Sequence, residues 1–202
     1  MLFFQTIEPA TLALLKRLQA LPFLADTRLV GGTALALQLG HRTSVDLDLF
    51  GTWSPQDDLQ KHVETCGKMI REGGQGRMQF YHVDGVKVDF VTYTAPWLDP
   101  PIEEDGVRLA GLRDIAAMKL FAIANRGTMK DFVDVRFLLS RFQLPEMVAW
   151  FQEKYPDAAL FPVFRSLVYF DDAENDFPPT MLVPFDWDKA KDEIRTAVKA
   201  LA

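Results

Sequence analysis

Sulfur chemistry is nearly absent from this sequence. One of its 202 residues is a cysteine. Cys66 cannot form an internal disulfide, and with no partner Cys or nearby His/Asp pattern it reads as a core filler rather than a nucleophile. Histidine is scarce as well, with three residues that form no cluster, so no zinc site is expected. There is no long hydrophobic run. No stretch approaches the roughly 18 apolar residues of a membrane span, and the first six residues are too short and uncharged for a signal peptide. The expectation is a soluble, cytoplasmic protein with no membrane partner. An excess of basic charge is also lacking, since 22 Lys and Arg face 28 Asp and Glu for a net charge of −6. That balance disfavours broad nonspecific nucleic-acid binding, which runs on phosphate neutralisation. It leaves room for a local basic patch, for which Lys119, Arg126 and Lys130 are the nearest candidates.

What the chain does have is ordinary globular material, 49% hydrophobic and 25% charged, enough for one domain or two small ones. Apolar residues recur at helical spacing over 8–21, up to Pro22, and 27–30 reads as a short strand entering Gly31-Gly32. A helix is expected over 33–39, closed by Gly40. Over 44–50, Val45, Leu47 and Leu49 alternate with Asp46 and Asp48, the period of a strand with one apolar face. Residues 55–71 read as a helix. Strands are expected at 77–83 and 86–93, joined by a tight turn at Asp84-Gly85, and at 107–110. The proline-bearing stretch 95–106 reads as a connector. From Leu112 the pattern is helical over 112–126, 130–142, 145–155, 158–170 and 187–201, with 171–184 as an irregular arm. The expected fold is α/β (α+β): a small mixed sheet flanked by helices over 1–110, followed by a helical part over 111–202.

The strongest chemical constellation is Gly31-Gly32-Thr33, then Asp46 and Asp48 on one strand, then Asp89 on a later one. Residues two apart on a strand share a face, about 6 to 7 Å between Cα atoms, so two such carboxylates can reach one Mg²⁺ or straddle a metal pair. Asp89 would complete the site. Mg²⁺ takes hard oxygen ligands and joins one or two carboxylates to substrate phosphates, which suits phosphoryl or nucleotidyl transfer. The paired glycines let backbone approach a triphosphate and aim N–H groups at it, and Thr33 adds a hydroxyl. Arg42 and Ser44, between the glycines and the strand, are candidate nucleotide contacts. His41 reads equally as a loop cap. The bland alternative is that Asp46, Asp48 and Asp89 are only the solvent face of a sheet.

Lys119 and Arg126, seven apart on one helix, share a face, as do Asp131 and Asp134 on the next. Lys119 would neutralise a phosphate and Asp131 would act as a base or orient Lys119; the alternative is a salt bridge between the two helices. Trp53, Trp97, Trp150 and Trp187 are scattered and read as core or interface residues.

The run Gly31-Gly32-Thr33-Ala34-Leu35-Ala36, followed by Gly40-His41-Arg42-Thr43-Ser44-Val45-Asp46-Leu47-Asp48-Leu49-Phe50, resembles the AbiEii nucleotidyltransferase toxin family of the DNA polymerase β-like superfamily. Lys87-Val88-Asp89-Phe90 matches its third-carboxylate position. Ala116-Ala117-Met118-Lys119-Leu120 and Arg126 to Asp134 look like its two later motifs. The resemblance implies a Mg²⁺-dependent enzyme, with one or two ions, moving a nucleoside monophosphate from an NTP to an RNA such as tRNA, or to a protein. It also implies a toxin paired with an antitoxin protein, and it carries catalytic roles onto Lys119 and Asp131. Two other readings use the same residues: a small-molecule nucleotidyltransferase of the antibiotic-modifying kind, and a binding protein that keeps the scaffold without turnover.

Overall fold

The computed structural model describes residues 1–53 and 58–201. The chain divides into two compact units, Met1–Ala95 with Pro100–Ala110, and Pro96–Asp99 with Gly111–Ala202.

The first unit is a mixed sheet with helices packed on one face. Its strands are β1 (Arg28–Val30), β2 (Leu47–Gly51), β3 (Met69–Gly73), β4 (Met78–Val83), β5 (Val86–Thr92), β6 (Ile102–Glu104) and β7 (Val107–Leu109). They lie in the order β3-β4-β5-β2-β1-β7-β6. The β2/β5 and β1/β7 pairs are parallel and the others antiparallel. The helices are α1 (Pro9–Gln19), α2 (Gly31–Leu39) and α3 (Leu59–Glu64). Strand alternation explains the core: Leu47, Leu49, Tyr81, Val83, Val88 and Phe90 are buried, and with Leu14, Leu18 and Leu35 of the helices they form a contiguous apolar interior. The other side of the same strands carries Asp48, Phe50, Asp89, Phe80 and His82, all half-buried.

Several local expectations are corrected. The strand expected from Ser44 begins at Leu47, so Val45 is 59% exposed rather than part of the apolar face. Of the helix expected over 55–71, positions 55–57 lie outside the described residues, and the helix found is the shorter α3, Leu59–Glu64. Asp58 caps its start by accepting from the Lys61 amide at 3.3 Å, and β3 follows. The connector read over 95–106 contains β6, which turns into β7 through Asp105 and Gly106, both at positive φ (53° and 77°). Asp84-Gly85, at 50° and 84°, makes the equivalent turn between β4 and β5, as its dipeptide predicts.

The second unit is helical: α4 (Leu112–Asn125), α5 (Met129–Leu139), α6 (Leu144–Lys154), α7 (Leu160–Leu167) and α8 (Trp187–Lys199). A capping box fixes the start of α6, with Gln143 and Glu146 bonding reciprocally to backbone amides. The core includes Ile115, Leu120, Phe132, Leu138, Phe151, Val163 and Ile194. Phe132, Phe170 and Trp187 form an aromatic cluster with ring centroids 4.8 to 6.2 Å apart. The irregular arm after α7 contains one short 3-10 turn, Ala173–Asn175.

Candidate active site

In the first unit, α2 opens directly from β1. Gly31 sits at φ +68°, a conformation that an L side chain rarely adopts, and a Cβ there would overlap the Asp48 carboxylate. A Cβ on Gly32 would overlap the Arg42 guanidinium and come within 3.5 Å of Ser44 Oγ. The two glycines therefore make room for an acid on one side and a base on the other. Val30, at the N-cap, has no side-chain oxygen to offer the first amides of α2.

The loop from His41 to Asp46 is tied down on this helix. The Thr33 hydroxyl donates to the Asp46 carbonyl oxygen and lies 2.8 Å from Ser44 Oγ, and the Ser44 amide donates to the Thr6 carbonyl at 2.9 Å. Thr33 is 1% exposed, so its hydroxyl anchors the loop. Arg42 is 3% exposed and donates from Nη1 to its neighbour's carbonyl, Thr43 O, at 3.0 Å. His41 is buried at 1%.

Asp48 and Asp89 stand in register on the parallel pair β2/β5, pointing to the half-buried face of the sheet. One Asp89 oxygen, Oδ2, lies 3.5 Å from Lys87 Nζ; the other, Oδ1, is buried and has no hydrogen-bond partner among the described residues. Burial pushes the Asp89 carboxyl above its ordinary value, the Lys87 ammonium opposes that, and the negative charge of Asp46 adds to the rise. Asp46 lies just before β2 rather than on it. Among the described residues, no three Asp, Glu, His or Cys side chains are grouped closely enough to enclose a metal. The expected three-carboxylate cluster thus resolves into an adjacent Asp48/Asp89 pair with Asp46 electrostatically coupled to it. Lys87 was not singled out in the sequence, although alternation in Val86-Lys87-Val88-Asp89 places it on the same face as Asp89.

The second unit holds Lys119, Asp131 and Asp134 in a buried network. Lys119 Nζ lies 2.9 Å from Asp131 Oδ1 and 2.6 Å from Asp134 Oδ2, with all three side chains 4% exposed or less. Asp131 also accepts from Arg126 Nε at 2.9 Å and from the Thr128 hydroxyl at 2.6 Å. Burial alone would raise the Asp131 carboxyl. Lys119, Arg126 and Thr128 overcome it and hold the group well below the usual carboxylate range. Lys119 is thereby removed from the surface basic patch expected of it with Arg126 and Lys130. A second buried pair had no sequence signal at all. Lys154 Nζ lies 2.6 Å from Asp114 Oδ1 and donates to the Pro96 carbonyl, while Asp114 also accepts from the Leu98 and Asp99 amides.

A family model described as nucleotidyl transferase AbiEii toxin, type IV toxin–antitoxin system, matches residues 13–200. This chain belongs to the AbiEii family. It is a nucleotidyltransferase by that membership, and NTP is the substrate the family implies. An uncharacterized protein of Aquifex aeolicus (strain VF5), aq_aa25, is 31% identical over 192 residues, 92% of each chain. The crystal structure of JHP933 from Helicobacter pylori matches with a TM-score of 0.59 at 19% identity, covering 95% of this chain and 88% of that one. A second H. pylori crystal structure gives 0.60 at 19% identity, covering 95% and 91%. At that identity the likeness concerns the fold alone. No helix among the described residues is long and apolar enough to cross a membrane.

Proposed function

We propose that this AbiEii-family enzyme transfers a nucleoside monophosphate from an NTP to an RNA acceptor, an RNA hydroxyl losing its proton and bonding to the α-phosphorus as the α–β phosphoanhydride bond breaks and pyrophosphate leaves, with Mg²⁺ held by Asp48 and Asp89 and assisted by Asp46. The observation that carries the reading is the buried Asp89 oxygen with no hydrogen-bond partner among the described residues, on a strand position in register with Asp48. A buried carboxylate oxygen left unsatisfied costs folding free energy and is retained where a ligand completes it. Hard carboxylate oxygens suit Mg²⁺, which completes its shell with waters and substrate phosphates, so two or three acids suffice. When bound, the metal supplies charge neutralisation at the transferring phosphoryl group.

The chain's own groups do the rest. The amides of Gly31 and Gly32 receive phosphate oxygens at the start of α2, where the helix dipole favours negative charge. Arg42, held against Gly32, neutralises a further phosphate charge, and Thr33 and Ser44 fix the loop that carries Asp46. Asp131 holds Lys119 rather than taking a proton: both its oxygens are occupied, and a carboxylate of such low pKa is a poor base.

The test is incubation with Mg²⁺, each labelled NTP in turn and total tRNA, beside the double variant Asp46→Ala, Asp48→Ala. Label on RNA should fall by about 10³-fold or more in the variant, the scale of losing transition-state charge stabilisation. Label that persists in the variant would sink the proposal, and label only on protein would replace the acceptor. If the toxin role holds, expression of the wild type slows bacterial growth, the double variant does not, and a cognate antitoxin relieves the effect.

A further inference from the structure

Two lysines of the second unit show what a lysine fixed in an ion pair looks like. Lys119 and Lys154 lie 2.6 to 2.9 Å from their carboxylates, and neither side chain is more than 4% exposed. Lys87 differs on each count. Its Nζ is 3.5 Å from Asp89 Oδ2, longer than a charge-assisted hydrogen bond, and its side chain is 42% exposed. The acid beside it is only 19% exposed, and its Oδ1 has no hydrogen-bond partner among the described residues. Lys87 therefore offsets the charge of Asp89, against the opposing charges of Asp46 and Glu72, without completing its ligation. Register then places Lys87 at a particular end of the sheet. Val30 pairs with Asp48, and β1 is antiparallel to β2, so the chain leaving Val30 carries Gly31 and Gly32 to the end at which β2 and β5 begin. Lys87 is the second residue of β5 at that end, and Asp48, in register with Asp89, lies against Gly31.

We propose that Lys87 is an exchangeable counter-ion of the metal site: it holds Asp89 in the free protein, releases it to the metal when a metal–triphosphate complex binds, and turns its ammonium to that triphosphate. The proposal rests on the transferase reading and adds what makes metal and nucleotide bind together. Lys87 opposes a bare divalent cation twice, by occupying an Asp89 oxygen and by repelling a second positive charge beside it. A cation that arrives with a triphosphate brings the anion that the displaced ammonium needs. The four-carbon stem of a lysine lets the charge move between the two without backbone change, and the loose, exposed contact leaves that movement open. Metal and nucleotide are thereby coupled through one side chain, and the coupling is reciprocal.

The test is a pair of binding measurements on the whole chain: Mn²⁺ alone, in place of Mg²⁺, by electron paramagnetic resonance of the free ion, and each labelled NTP in saturating Mg²⁺ by equilibrium dialysis. Lys87→Gln should bind bare Mn²⁺ about tenfold more tightly than the wild type, the scale of removing a unit charge from beside an acid. The same variant should bind NTP about tenfold more weakly, having lost a charged contact to the phosphates. Opposite signs on the two ligands are the signature, since a merely structural role would weaken both. Lys87→Arg keeps the charge and should stay near wild type in both. Lys61→Gln, at an 80% exposed side chain of the same unit, should change neither. An unchanged or weakened Mn²⁺ affinity in Lys87→Gln, or an unchanged NTP affinity, would overturn the assignment. So would the same two changes in Lys61→Gln, which would mark them as effects of net charge. Failure of the transferase reading registers separately, as Asp89→Asn binding Mn²⁺ as tightly as the wild type or as a wild type that binds no NTP.

Discussion

Asp89 and Asp131 are both carboxylates on regular secondary structure inside their own units, and they sit in opposite electrostatic situations. Asp131 is fully buried and saturated, with Lys119, Arg126 and Thr128 on its two oxygens. Asp89 keeps one buried oxygen with no hydrogen-bond partner among the described residues, and burial, with smaller contributions from the charges of Asp46 and Glu72, raises its proton affinity against the opposing pull of Lys87. An acid whose surroundings favour its charge is part of the scaffold. An acid whose surroundings oppose its charge destabilises the free protein, and it is retained for something that arrives later. By this criterion the second unit's ionic network holds helices together, and Asp89 is the acid that the proposed metal-bound nucleotide would satisfy.

The comparison can be broken most forcefully from the saturated side. Lys119→Met leaves Asp131 and Asp134 buried with their shared cation gone, and should cost about 3–5 kcal/mol of unfolding free energy. The urea midpoint reports it. An unchanged midpoint would mean that the network is not structural.

A smaller effect follows from the proton linkage of the same group. Asp131 has a folded pKa depressed below its unfolded value, so its stabilisation is complete at neutral pH. It is lost as pH falls below about 4 toward the depressed folded value. The stability gap between wild type and Asp131→Asn, followed by urea titration at stepped pH, should therefore be widest at pH 6–7 and narrow in acid. A gap independent of pH would contradict the ionic account.

The same contrast explains what the sequence made legible. Asp48 and Asp89 were readable because alternation on a strand is local: each acid sits between buried neighbours, Leu47 and Leu49 or Val88 and Phe90. The turn at Asp84-Gly85 was readable from two residues. Asp105-Gly106 offered the same dipeptide, but Pro96, Pro100 and Pro101 just before it suggested a connector and hid the β6/β7 hairpin. The stretch after Glu64 misled because Met69, Ile70 and the residues before them satisfy a helical period as readily as a short edge strand, and pairing with β4 decides between them. Asp114 and Lys154 are 40 residues apart, and no local pattern announces a pair closed by tertiary packing. Lys119 and Asp131 could be placed on facing helices, but whether their charges met a phosphate or each other depended on burial, which spacing does not encode.

The central claim is that Asp89 is held at a cost so that it can bind a metal-bound nucleotide, and the direct measurement is the thermal midpoint of wild type and Asp89→Asn with and without Mg²⁺–NTP. The account predicts that Asp89→Asn melts higher than wild type in metal-free buffer, because a neutral amide replaces a desolvated charge, and that Mg²⁺–NTP raises the midpoint of the wild type alone. A variant that melts lower in metal-free buffer, or one that Mg²⁺–NTP stabilises as much as wild type, would contradict it.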